Sequence, residues 1–236
     1  MKTPLRRFWT AAEARESDAG FAVALDGRPL RTPLGAPFAA PCRAAAEAAA
    51  AEWSAQGETP DPRTMPVTRA INTGLDRAGR EFEPIAALLT EYAGSDLLCY
   101  RAPGPGSLIA RQSAAWDPAL DWAAEAFGAR LICAEGVMHV DQPPEALAAL
   151  GAAVRARTPF QLVALHDLVA LSGSLVLGLA VAEGRLTAEA AWTASRIDED
   201  FQTERWGEDA EAAAAAQIKR DDFFFARRFL DLLAEP

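Results

Sequence analysis

Cysteine is scarce in this chain. Three occur in 236 residues, Cys42, Cys99 and Cys133, an odd number at wide spacing with no Cys-x-x-Cys pair. That spacing argues against a disulfide framework and against a thiolate zinc site, which needs closely spaced ligand pairs. Histidine is scarcer still, with only His139 and His166. The three thiols are therefore read as small apolar groups in a reducing compartment. Basic charge is also short: 23 basic against 33 acidic side chains leave a net charge of -10. Adjacent basic pairs occur at Arg6-Arg7, Lys219-Arg220 and Arg227-Arg228, too dispersed for a phosphate-binding stripe, so no nucleic-acid partner is expected. An acidic surface instead favours basic partners.

Several catalytic and cofactor signatures are missing. Neither Asp26-Gly27 nor Gly104-Pro105-Gly106 leads from a strand into a helix N-terminus in a P-loop or G-x-G-x-x-G pattern, so no nucleotide site is expected. There is no Gly-x-Ser-x-Gly elbow; Ser172-Gly173-Ser174 reads as small-residue helix packing. His166 and Asp167 are neighbours on a predicted helix and point about 100° apart, which reads as a satisfied polar pair and not as a catalytic dyad. The start Met1–Trp9 is basic, but polar residues follow before any apolar run, so no signal peptide is expected and a bacterial cytoplasm is the expected location.

Half of the residues are apolar, ample for a core and contrary to disorder. The longest apolar stretch, 160–182, has Asp167 as its one formal charge and is long enough to span a bilayer. Gln161, His166, Asp167, Ser172 and Ser174 would be costly in lipid, so it reads as the buried central helix of a bundle, without membrane insertion.

Organisation follows from the punctuation. Phe21–Leu25, then Asp26-Gly27, then Arg28–Thr32 predict a hairpin within a meander of three or four strands. From Pro41 an alanine-rich helix runs through Trp53. Helices are predicted over 67–78 and from Phe82 or Pro84 to Tyr92. Short strands are predicted at 96–101 and 129–133, around the Pro/Gly loop 103–106. Asp117-Pro118 predicts a helix start and Gly128 its stop. Beyond Pro143 the pattern is helical, with candidates at 144–157, 160–183, 187–206 and 208–233. The fold class is α+β: a small N-terminal β-rich region with helices (1–80), followed by a larger C-terminal helical bundle (81–236).

Two regions suggest contact rather than chemistry. In 91–127 the aromatics Tyr100, Trp116 and Trp122 surround the Pro/Gly loop without a catalytic grouping. The stretch 197–211 is acidic. A metal site from Asp198, Glu199 and Glu208 would lack a nearby histidine. Glu208, Asp209 and Glu211 fit the first turn of the last helix, where its positive end favours anions, with the earlier acids as a solvated face. The alternative is an acidic docking surface with Trp206 and Phe201 as aromatic anchors. In the last helix, Ile218, Phe225, Phe229 and Leu232 share a face. Phe223 or Phe224 must then sit at a seam or in an exposed patch.

A collinear set of motifs spans nearly the whole chain: Arg6-Arg7-Phe8-Trp9; Gly20–Val23 with Leu25–Pro29 and Thr32-Pro33; Ala51-Glu52-Trp53 with Gln56; Met65-Pro66 with Thr68-Arg69 and Asn72-Thr73; Tyr92 with Asp96–Arg101; Gln112 with Trp116-Asp117-Pro118; Gly173-Ser174; and Glu204 with Trp206–Asp209. The set resembles the assembly chaperones of the F-type ATP synthase α subunit from mitochondria and α-proteobacteria. The resemblance implies a two-part fold, no catalytic activity and no cofactor. It implies a protein that binds the unassembled α subunit and prevents its aggregation before it pairs with β, in the matrix for mitochondrial relatives. It also implies that the C-terminal acidic stretch matters, which makes Asp198, Glu199, Glu204, Trp206, Glu208, Asp209 and Glu211 the candidate partner-binding residues. No catalytic or metal residue is assigned, and a monomer is expected. The competing readings are a hydrolase using carboxylates alone, from Asp96, Asp117 or Glu204, and a helical scaffold for another protein.

Overall fold

A computed structural model describes residues 6–235; Met1–Leu5 of the basic start therefore lies outside the described residues. The chain forms two compact units. One comprises the chain up to Phe82, Thr158–Ala164 and the chain from Arg228; the other comprises Glu83–Arg157 and Leu165–Arg227. The strands come first and the helices follow, so the α+β class holds.

In the first unit, β1 (Ala12–Ser17), β2 (Gly20–Leu25), β3 (Arg28–Pro29) and β4 (Ala39–Ala40) form an antiparallel sheet around β2. Ala12 pairs with Leu25 and Ser17 with Gly20. The Asp26-Gly27 turn has both residues at positive φ, 47° and 80°. The Asp26 carboxylate accepts from the backbone N–H of Ala11 at 2.8 Å and of Thr10 at 3.1 Å. Those donors favour the charged form and hold its pKa below the usual value.

Helix α1 (Arg43–Ser54) packs on β1 and β2 through Ala45, Ala46, Ala49 and Ala50, whose small side chains let the helix lie close to the sheet. Trp53 near its end meets Trp9 edge-on at 5.0 Å, and Trp9 Nε1 donates to the Trp53 carbonyl at 3.2 Å. Helix α2 (Pro66–Thr73) runs into one π turn, Gly74–Ala78. Its N-cap residue, Met65, has no side-chain oxygen to offer. Glu52 of α1 takes that role, accepting from Val67 N at 2.7 Å and Thr68 N at 2.8 Å. Burial raises the Glu52 pKa despite these donors.

The second unit holds α3 (Phe82–Gly94, apart from Phe82 itself), α4 (Gly106–Phe127), α5 (Pro144–Arg155) and most of α6 (Pro159–Ser172). It also holds α7 (Leu175–Ala182), α8 (Ala188–Ser195), α9 (Ile197–Trp206) and most of α10 (Ala210–Ala234). Several expectations are corrected here. Pro118 lies inside α4 and not at its start. The proline has no N–H for the Ala114 carbonyl, yet Gln112 and Trp116 before it and Ala119 and Ala123 after it are all buried, and that packing carries the helix through. Trp116 is wholly buried and donates Nε1 to the Ala194 carbonyl at 2.8 Å, so it is core and not a surface anchor.

The expected single helix 160–183 is two helices. Gly173 adopts φ 72°, Ser174 caps α7 by accepting from Leu177 N at 3.0 Å, and the chain turns between α6 and α7. Among the described residues no helix is long and apolar enough to cross a membrane. Gly178 lets α7 approach α6: a Cβ there would lie 2.6 Å from Val169 Cγ2. The expected helix 187–206 breaks at Arg196, with no glycine or proline to mark it.

The strand expected at 129–133 does not form; the segment has no regular structure and leads to β6 (Ala134–Glu135), which pairs in parallel with β5 (Tyr100–Arg101). In α10 the buried face is Phe223, Ala226 and Phe229, whereas Ile218 is 65% exposed. The face expected from Ile218 fails because the first half of α10 is open to solvent.

Candidate partner-binding surface

Asp96 occupies the centre of the second unit. It is completely buried, and its carboxylate accepts from Leu98 N at 3.0 Å and from Val176 N at 3.1 Å, in the first turn of α7. Burial pushes its pKa up to about 6, against the pull of these donors and of Ser174. Asp117 pairs with Arg101 at 2.6 Å, and Glu204 pairs with Arg111 at 2.7 Å. The three carboxylates of the hydrolase reading therefore each face a different set of partners. His166 and Asp167 do touch, at 3.1 Å, contrary to the 100° expectation, because a short side chain can turn back along the helix surface; both are about half exposed.

The acidic stretch divides into residues that hold the fold and residues that face outward. Asp198 accepts from Gln112 Nε2 at 2.6 Å, and Gln112, itself buried, accepts from Ala102 N at 2.9 Å. Asp198 thus ties α9 to α4. Glu204 does the same through Arg111, which also lies 5.4 Å from the Phe201 ring centroid. That ion pair lowers the Glu204 pKa. Phe201, expected as an anchor, is buried with Arg205 over its other contact at 4.4 Å. Glu199 pairs with Arg196 at 2.7 Å, one turn away.

Trp206 is different: it is 78% exposed. It sits on the rim of a groove of about 520 Å³ between α9 and α10, with Glu199, Asp200, Glu208 and Asp209 in the lining and Ala212, Ala213 and Ala216 along the floor. Gly207, at φ 91°, makes the bend between the two helices. Asp209 caps α10 by accepting from Ala212 N at 2.8 Å. Glu208 lies just before the helix and Glu211 in its first turn, where the positive end of the helix favours both anions. Asp200 and Glu208 make no ion pair among the described residues. The structure therefore brings Glu199, Trp206, Glu208 and Asp209 to one groove, and gives Asp198 and Glu204 positioning contacts beneath it. Among the described residues no three acidic, histidine or cysteine side chains come together as metal ligands.

The groove thus sets an exposed aromatic beside small residues, with acids and the arginines Arg196 and Arg220 in its lining. Comparison with known proteins supplies the class. Residues 6–124 match the family described as ATP12 chaperone protein. The crystal structure of Atp12 from Paracoccus denitrificans has a TM-score of 0.94 with this chain at 46% identity, covering 97% of this chain and 98% of that one. The Atu1473 protein of Agrobacterium tumefaciens has a TM-score of 0.89 at 44% identity, covering 97% and 85% respectively. The mitochondrial protein atp12 of Schizosaccharomyces pombe is 24% identical over 214 residues, 86% of this chain and 74% of that protein. The chain belongs to the ATP12 chaperone family, and the resemblance to the ATP synthase assembly chaperones drawn from its motifs is shown.

Proposed function

We propose that this chaperone binds the unassembled α subunit of the F-type ATP synthase and prevents its aggregation before it pairs with β. Docking would use the groove between α9 and α10. The observation that carries this reading is the exposed Trp206 beside Glu208 and Asp200, which make no ion pair among the described residues. A large aromatic open to water gains most from burial against a partner. Acids around it set encounter rate and orientation more than lifetime, which suits a client that β must later take over. The protein would act without a cofactor, as a monomer, in a bacterial cytoplasm; membership of a chaperone family supports a non-enzymatic role.

The test is refolding. Purified α subunit is diluted from denaturant with and without this chain, and aggregation is followed by light scattering. Suppression at a stoichiometric ratio is expected. Equal aggregation in both arms would refute the reading.

A further inference from the structure

Residues 132–142 form a loop whose shape and surface do not match. The shape is firmly held. Gln142 is buried and grips both backbone groups of Ile132, its Oε1 accepting from Ile132 N at 2.7 Å and its Nε2 donating to Ile132 O at 2.9 Å. Gly136 N donates to the Arg101 carbonyl at 2.8 Å, extending the β5–β6 pairing. His139 contacts the Tyr100 hydroxyl through Nδ1 at 3.2 Å and Asp141 through Nε2 at 3.2 Å. The surface, by contrast, is apolar. Val137 is 94% exposed, Met138 77% and Ile132 45%.

Single exposed apolar residues are ordinary. Three within seven positions of one loop are a patch, and the contacts that fix the loop do not involve their side chains. Folding therefore supplies no reason for Val137 and Met138. Binding does: a pre-ordered loop loses little entropy on contact, and methionine adapts to irregular apolar partners. Glu135 and Asp141 flank the patch, both exposed, so the complementary partner is apolar with basic residues beside it.

We propose that this loop is a second docking surface, which takes an aliphatic, basic-flanked segment of the α subunit. The proposal rests on the reading of the protein as an α-subunit chaperone, but its residues are separate from Trp206 and the acidic groove.

Cys133 provides the probe, since it is exposed within the loop while Cys42 and Cys99 are buried. A maleimide-benzophenone attached to Cys133 of the full chain is irradiated with purified α subunit diluted from denaturant. Crosslinks to aliphatic residues of α are expected. In parallel, the double variant Val137→Ser/Met138→Ser should bind α about tenfold more weakly, a loss of about 1.4 kcal/mol, with an unchanged melting temperature. If wild type binds α but the variant binds equally well, or if Cys133 crosslinks only to a second copy of this chain, the proposal is overturned. Should the variant prove unstable, the crosslink alone decides. If wild type does not bind α at all, the proposed function falls and takes this inference with it.

Discussion

Replacing Asp96 with Asn tests the most demanding electrostatic arrangement in the molecule. Asp96 is completely buried, and its pKa is raised from 3.8 to about 6, burial being the largest cause. A raised carboxyl pKa means the folded chain holds this proton where the unfolded chain has already released it. Stability from this site is therefore greatest below about pH 4 and falls as pH rises through 6. Between pH 4 and 7 the expected loss is about 2.5 kcal/mol, from a shift of roughly two units at 1.36 kcal/mol each. Asn cannot titrate but is close in shape to the protonated acid. It keeps one acceptor for Leu98 N or Val176 N, as the neutral acid does.

The informative quantity is the difference between the two stability curves, since every other titrating group is common to both. Urea unfolding should be measured at intervals from pH 4 to 7.5, with tryptophan fluorescence, to which the buried Trp116 contributes, as the reporter. Wild type and Asp96→Asn should be nearly equal at pH 4, and the variant should be more stable by about 2 kcal/mol at pH 7. A difference that stays flat would refute the reasoning. One that runs the opposite way would mean the backbone donors outweigh burial, and that α7 is held by a true carboxylate.

Glu208 and Asp209 are adjacent but should behave differently. Asp209→Ala removes the cap on α10 and should lower stability by about 1 kcal/mol in a thermal melt. Glu208→Lys should cost no more than about 1 kcal/mol, the scale of a charge at a helix end, while weakening α-subunit binding, most clearly at low salt; a larger fall in melting temperature with unchanged binding would leave Glu208 a helix-end role alone. Gly178→Ala should cost about 1–3 kcal/mol, because its methyl would meet Val169 at 2.6 Å, and urea unfolding would show it. Loss of nothing measurable would mean that α6 and α7 can separate freely.

Much of the fold was legible because its signals are local. Asp26-Gly27 requires a backbone that only a tight turn provides, and the alanines of α1 have few alternatives to a helix. The glycines at 128, 184 and 207 end helices where expected, all at positive φ. What escaped was set by distant partners. β1 reads Ala-Glu-Ala-Arg-Glu-Ser, with no β-branched residue, and is a strand because β2 pairs with it. Pro118 signals a helix start only if its neighbours are not already packed into a longer helix. Gly173-Ser174 did carry a visible stop and cap, but the apolar residues on either side suggested continuity. The Asp96 contact to Val176 spans 80 residues and has no sequence signature.

The candidate surface was legible in type but not in detail. Trp206 and the acids around it were visible as a set, yet the sequence could not separate Asp198 and Glu204, held by α4, from Glu199 and Glu208 in the groove. Nor could it show that Val137 and Met138 are bare, since Gly-Val-Met-His-Val looks like any short apolar run. Cys133 was expected with the buried thiols and is exposed for the same reason: its loop is held by backbone contacts and Gln142, not by side-chain burial.

The acids of this chain therefore serve two physical ends. Asp96 is buried and Glu52 half-buried, each against the backbone N–H groups that open a helix, and Asp26 holds two more such groups at a turn. Their charge is answered locally and projects little field. Asp200 and Glu208 have no such donor and no ion pair among the described residues, so their field extends into solvent within a Debye length of about 8 Å at physiological salt. In the proposed docking, a basic partner is attracted over that range and oriented before Trp206 makes contact. In that docking the rim charges would remain partly hydrated and contribute little to lifetime, so apolar contacts such as that of Trp206 would decide how long the client stays. Under the proposed function, a chaperone that releases its client to a competing subunit is served by that division: long-range attraction for capture, and displaceable apolar contacts, Trp206 among them, for retention.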